Sequence, residues 1–125
     1  MEENKRLPYA TWNVDGVEYK LKLATSETTK LEEKFKTNLM TIISGDNLPA
    51  LKIMLTVAHS ALLKYHHGIK YDDVEEMFDK YLEEGGSQTA FFTDVFMPIY
   101  NASGFFSGSM EAKMTKGLEA AKEQL

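Results

Sequence analysis

The alternation of apolar and polar positions divides the chain into a short β segment followed by a series of helices. Ala10-Thr11-Trp12-Asn13-Val14 and Val17-Glu18-Tyr19-Lys20-Leu21-Lys22-Leu23 flank the pair Asp15-Gly16. In the second run Val17, Tyr19, Leu21 and Leu23 alternate with charged residues, the period-2 pattern of a strand with one buried face. Asp-Gly suits the positive φ angles of a two-residue hairpin turn. A two-stranded hairpin is marginal by itself, so its apolar face is expected to lie on helices.

From Ala24 onward the period becomes helical. Thr25 or Ser26 is placed to cap a first helix carrying Leu31 and Phe35, with Glu27 and Lys36 suited to the helix dipole. Leu39-Met40-Thr41-Ile42-Ile43-Ser44 reads as a separate helical turn or two. The clearest helix follows, with Asp46 or Asn47 as its cap, Pro49 in its first turn and Gly68 as its stop. Leu48, Leu51, Met54, Leu55, Ala58, Leu62 and Tyr65 share its apolar face.

Asp72-x-x-Glu75 resembles a capping box, and Val74, Met77, Phe78, Tyr81 and Leu82 form the stripe behind it. Gly85-Gly86 ends that helix. Ser87 opens another, with Phe91, Phe92, Val95, Phe96, Ile99 and Tyr100 apolar. Pro98 frees the Asp94 carbonyl, so a kink or early end is expected before Gly104 closes the element. Beyond Ser107 the apolar content thins to Met110, Met114, Leu118, Ala121 and Leu125, a stripe interrupted by Gly117 and marginal in isolation. The expected fold is mainly α. It is a small helical bundle over residues 10–106 with an N-terminal β-hairpin packed on it, a flexible arm at 1–9 and a weakly ordered helical tail at 107–125.

Composition narrows the function more than it defines it. With 14 basic and 19 acidic residues in 125, the net charge of −5 argues against a nucleic-acid binder held by phosphate contacts. The absence of cysteine removes disulfides, thiolate metal sites and thiol nucleophiles. No apolar run has the roughly 18 residues of a membrane span, and the first residues lack the apolar stretch of a secretory signal. A soluble cytosolic protein is expected.

Candidate chemistry is sparse. His59 and His66 share a helix face but stand two turns apart, about 10.5 Å, too far for one metal ion. A site built from His66, His67, Asp72 and Asp73 requires the Gly68 loop to fold back. The paired carboxylates Asp72-Asp73, Glu75-Glu76 and Glu83-Glu84 flank an amphipathic helix and read as a solvated face. No serine sits in a Gly-x-Ser-x-Gly elbow, and Gly85-Gly86-Ser87 lacks the lysine of a phosphate-binding loop. No catalysis, cofactor or metal is expected. Phe105-Phe106 stands out, because it follows a helix-ending glycine and precedes Ser107-Gly108-Ser109. One of the two can fold back on the core through the glycine ending; the other is either buried with it, the favoured reading, or exposed and then the mark of a protein-binding site.

Several runs, taken in order, resemble a known family. They are Leu55-Thr56-Val57-x-His59-x-x-Leu62, Lys64-Tyr65-His66-His67-Gly68-Ile69-Lys70, and Asp73-Val74-x-x-Met77-Phe78-Asp79-x-Tyr81. Glu84-Gly85-Gly86-Ser87 and Ile99-Tyr100-x-x-Ser103-Gly104-Phe105-Phe106 complete the series. With the hairpin and the first helix, residues 12–106 resemble the tail assembly chaperones of long, flexible-tailed phages and prophages of Gram-positive bacteria. The chain departs where such proteins often carry a glycine near the end of the first helix, having Lys36-Thr37-Asn38 there, and after Phe106.

The resemblance implies a non-catalytic, late-expressed protein of the bacterial host cytoplasm, absent from the mature virion. It would bind the tape-measure protein, keep it soluble, recruit tail-tube subunits and self-associate. The residues themselves offer Phe105, Phe106, Met110, Met114 and Leu118 as the strip that covers a partner helix. Trp12 and the hairpin edge offer a strand-to-strand contact of the kind any edge strand allows. A small adaptor or regulatory helical module and a structural tail component of the virion are the alternative readings.

Overall fold

The computed structural model describes residues 8–106, and the protein is mainly α with one small β-hairpin. The expectations for residues 1–7 and 107–125, including those for Met110, Met114 and Leu118, lie outside the described residues. Strands β1 (Ala10–Val14) and β2 (Val17–Leu21) pair antiparallel, with Trp12 opposite Tyr19 and Val14 opposite Val17. Asp15 and Gly16 take φ angles of 52° and 78°, the double left-handed turn expected of Asp-Gly. The Asp15 N–H donates to both Glu84 carboxylate oxygens at 3.1 Å, pinning the turn to the helix below it. Ala10, Trp12, Val14, Leu21 and Leu23 are buried, whereas Val17, beside the turn, is exposed. Tyr9, placed in the arm by the sequence reading, is tied to the fold by an edge-on contact with Tyr65 and by Lys20 over its ring.

The helices differ from expectation chiefly at their ends. Helix α1 (Thr25–Phe35) is capped by Ala24 and not by Thr25 or Ser26, with no side-chain cap bond. Leu23 explains the shift: it is buried and its N–H donates to Ser103 Oγ at 2.9 Å, which holds the chain extended up to Ala24. Leu31 is the buried residue of α1. Helix α2 (Leu39–Ile43) is capped by Asn38, whose side chain accepts the Met40 N–H at 2.8 Å. Helix α3 (Leu51–Leu62) starts two residues beyond Pro49, on Ala50. Neither Asp46 nor Asn47 is its cap, since the residue before a proline is pushed toward extended geometry. It ends short of Gly68, because Tyr65 and His66 close the final turn on the Leu62 carbonyl.

In helix α4 (Tyr71–Glu83) the cap lies at Lys70, whose N–H donates to the Asp73 carboxylate at 2.9 Å, so the expected Asp72/Glu75 box does not form. Val74, Met77 and Phe78 are buried as expected, but Leu82 is exposed and Tyr81 takes the inward place at the last turn. Ser87 caps α5 (Gln88–Phe91) through the Ala90 N–H. A π-helical stretch, Phe92–Phe96, then leads into α6 (Met97–Ala102). The wide turn, in which the Met97 N–H reaches back to the Phe92 carbonyl, is where the expected disturbance at Pro98 appears.

The core forms where the hairpin lies on these helices. Trp12, Tyr100, Phe91 and Phe96 are its largest fully buried side chains. The Trp12 indole packs edge-on to Phe91 at 5.0 Å and to Tyr81 at 5.9 Å. Strand β1 is therefore fixed by an aromatic wedge, and β2 by contacts to α3.

Lys36 holds a left-handed φ of 57° while the Thr37 N–H bonds back to the Glu32 carbonyl at 3.2 Å. This is the C-terminal motif that favours glycine. Lys36→Gly should therefore stabilise the protein by about 0.5–1 kcal/mol, read as a rise of a few degrees in Tm.

Candidate functional site

The end of α6 places the first of the strip residues. Gly104 takes a φ of 87° and the Phe105 N–H donates to the Tyr100 carbonyl at 3.3 Å. This is the helix ending in which the N–H of the residue after glycine bonds the carbonyl five positions earlier. The Phe105 ring accordingly meets the Tyr100 ring at 4.6 Å. Phe105 stays half-buried and lines a shallow cavity of about 180 Å³ with Leu23, Thr25, Thr28, Ser103 and Gly104. Phe106 is only 4% exposed and belongs to the core. Its place in the partner-contacting strip is corrected: the glycine turn that leaves Phe105 at the rim sends Phe106 inward.

Tyr100 braces this corner. It is fully buried, packs on Phe96 at 5.2 Å, and its hydroxyl donates to the Leu39 carbonyl at 2.9 Å. Burial, with the Glu32 carboxylate nearby, raises its phenol far above the usual range, so it is a neutral donor at any physiological pH. Glu32 in turn accepts the Leu39 N–H at 2.9 Å. Together these bonds hold α2 next to the end of α6. The partly buried Met40, Ile42 and Ile43 of α2 pack against the same core.

The second concavity, about 440 Å³, lies between β2 and α4. It is lined by Tyr19, His66, His67, Gly68, Ile69, Asp73, Glu76, Met77 and Lys80. Here the sequence had offered His66, His67, Asp72 and Asp73 as a possible centre. His66 Nε2 accepts the Lys20 N–H at 3.0 Å, and Asp73 caps α4. His59, seven residues before His66, bonds the Ile69 carbonyl through Nε2 at 2.8 Å. Among the described residues no three histidines or carboxylates are placed to share a metal ion. His59 and His66 each fasten one backbone segment to another, and Asp73 closes the first turn of its own helix.

The His66 latch has a pH signature. Burial first, then the charges of Lys20 and His67, hold its pKa below the ordinary 6.5. The folded state therefore keeps His66 neutral where the unfolded chain takes up a proton, and stability falls as pH drops through about 6.5 toward the lowered value. Urea unfolding at about pH 7.5 and about 5.5 should show this loss, and His66→Gln, whose amide oxygen can accept the same N–H, should reduce it.

Several side chains assigned to apolar stripes are instead at the surface. Leu48, Tyr65 and Leu82 are about as exposed as ordinary surface residues, at 40%, 37% and 42%. Each stands at the end of its stripe, where the helix or turn has already left the core. Their position at the limits of the pattern was the available signal.

The sequence comparison adds one relationship. A family of unknown function, DUF6096, matches residues 8–124. The chain belongs to the DUF6096 family. No curated protein matches it, and no solved structure does. The family match runs past Phe106, so the stretch bearing Met110, Met114 and Leu118 lies within the length that DUF6096 spans.

Proposed function

We propose that this protein is a tail assembly chaperone of a long-tailed phage or prophage, working in the host cytoplasm. It binds the tape-measure protein, keeps it soluble, helps recruit tail-tube subunits and stays out of the mature virion. The observation that carries the reading is Phe105, half-buried on Tyr100 at the rim of the fold and leading directly into Met110, Met114 and Leu118. The ordered resemblance over residues 12–106 supplies the biological context. The hairpin-on-helices arrangement agrees with it. The family match through residue 124 supports counting the C-terminal stretch as part of the working protein.

The mechanism follows from the residue types. A tape-measure protein is a long helical chain whose apolar stripes aggregate when uncovered. A strip of one aromatic and several methionine or leucine side chains can pack on such stripes without demanding one sequence. The net charge of −5 keeps the complex dispersed. Affinity that rests on a few adaptable contacts is low enough for tail-tube subunits to displace the chaperone. The polar groups of the larger cavity hold the hairpin in place, which fits binding better than catalysis.

The test is rescue of a co-expressed tape-measure protein by a variant carrying Phe105→Ser, Met110→Ser and Met114→Ser. Soluble partner should fall to the level found without the chaperone, while Tm moves by only a few degrees. Full rescue by that variant would remove this strip as the binding surface.

A further inference from the structure

Charge is distributed unevenly along the chain. Residues 71–84, which form α4 and its end, carry seven carboxylates and one lysine, a net of −6. The charges of all other residues sum to +1. All seven acidic residues of this stretch are exposed. Beside the helix lies the concavity of about 440 Å³, with β2 on its other side. Asp73, Glu76, Met77 and Lys80 line it at i, i+3, i+4 and i+7, so it is a groove that follows α4 for two turns, about 10 Å. Part of its lining is apolar, from Met77, Ile69 and Tyr19, whose ring stands edge-on to His66 at 5.3 Å. The charges at its rim are not equally engaged. Lys80 lies 3.7 Å from Asp15, and Asp73 accepts one backbone N–H at the start of α4. His66 is held neutral and already accepts the Lys20 N–H. Glu76 has no hydrogen-bond or ion-pair partner among the described residues.

We propose that this groove docks a lysine- or arginine-rich amphipathic helix of another protein. Charge selects the occupant. A cleft bordered by one sign of charge concentrates the opposite sign near it, and an acidic segment or a nucleic acid would be repelled by α4. The apolar lining selects an amphipathic segment over a merely basic one. A leucine or similar side chain enters against Met77, Ile69 and Tyr19, and cations one turn to either side of it on the incoming helix reach Asp73 and Glu76. The groove admits one or two side chains and falls well short of a standard interface, so binding is weak and sensitive to salt. No residue lines both this groove and the cavity at Phe105, and the inference is independent of what the C-terminal strip binds.

Titration of the isotope-labelled full chain with a synthetic helical peptide of leucine and lysine at heptad spacing, followed by NMR, tests this. The expected shifts centre on the amides of Tyr19, Ile69 and Glu76 and on the Met77 methyl group. Glu76→Lys should weaken binding about tenfold, since it replaces an attraction to the peptide by a repulsion. Glu33→Lys, the same charge change on the exposed face of α1, should leave the affinity within about twofold. Both substitutions are at exposed side chains, and the wild-type titration locates the contact without either of them. A peptide that keeps its lysines but has glutamine for leucine should bind at least about tenfold more weakly. Absence of binding overturns the inference, as do shifts confined to the corner at Phe105. Equal losses in the two lysine variants, or undiminished binding of the glutamine peptide, also overturn it, because either would reduce the contact to diffuse attraction between opposite charges.

Discussion

Phe106→Ser is expected to lower Tm by roughly 10–25 °C, whereas Phe105→Ser should lower it by only a few degrees. The two rings are adjacent in sequence and opposite in environment. Phe106 is 4% exposed within the core, and replacing a buried phenylalanine by a small residue costs about 3–5 kcal/mol through lost transfer energy and the cavity left behind. Serine adds a hydroxyl to that cavity. Phe105 loses a single ring contact with Tyr100 at the rim, about 1 kcal/mol. Thermal melts of the two single variants, followed by circular dichroism, separate these cases. Equal losses would mean that Phe105 is as much a core residue as Phe106, and the proposed binding strip would lose its aromatic member.

A second large effect is expected at Gly86. A Cβ added there would lie 2.4–2.6 Å from three atoms of the Tyr81 ring, closer than carbon atoms can approach. The ring has little room to retreat, being held by Trp12 at 5.9 Å, Phe78 at 5.7 Å and Phe91 at 6.0 Å. Its last turn is also closed by the Gly86 N–H, which donates to the Tyr81 carbonyl at 2.9 Å. Gly86→Ala should therefore cost about 1–3 kcal/mol, as overpacking generally does. The near-ultraviolet dichroism of Trp12 should change with it, because Tyr81 is one wall of the indole site. An alanine variant with wild-type Tm and spectrum would show that the Gly-Gly turn relaxes freely.

How well each element could be read from sequence depended on what fixes it. The hairpin turn and the buried faces of α3 and α4 follow from local rules, and Asp15-Gly16, Met54, Leu55, Ala58, Leu62, Val74, Met77 and Phe78 are placed as their spacing requires. The starts of α1, α3 and α4 differ from the expected ones by one to several residues, whereas α2 begins at Leu39 and Ser87 caps α5 as expected. Ala24, Ala50 and Lys70 are caps because of what lies beside them in the chain or the fold, and no preferred capping side chain announces them. The π turn is a related case. Pro98 signalled a disturbance, but not that it would take the form of a π turn in a segment buried on most of its faces. For the strip, the pattern marked Phe105 and Phe106 together. Only the glycine turn at Gly104, with the packing beyond it, decides which faces in. The roles of His59 and His66 were illegible, since both bond to backbone groups of segments 10 and 46 residues away.

The most direct measurement of the proposed function is co-expression with the tape-measure protein of a long-tailed phage, comparing its soluble recovery with and without the chain. Soluble tape-measure protein that appears only in its presence and co-purifies with it is the expected result. Equal recovery in both cases, with no co-purification, would contradict the chaperone function and leave a helical hairpin-bearing fold with a different task.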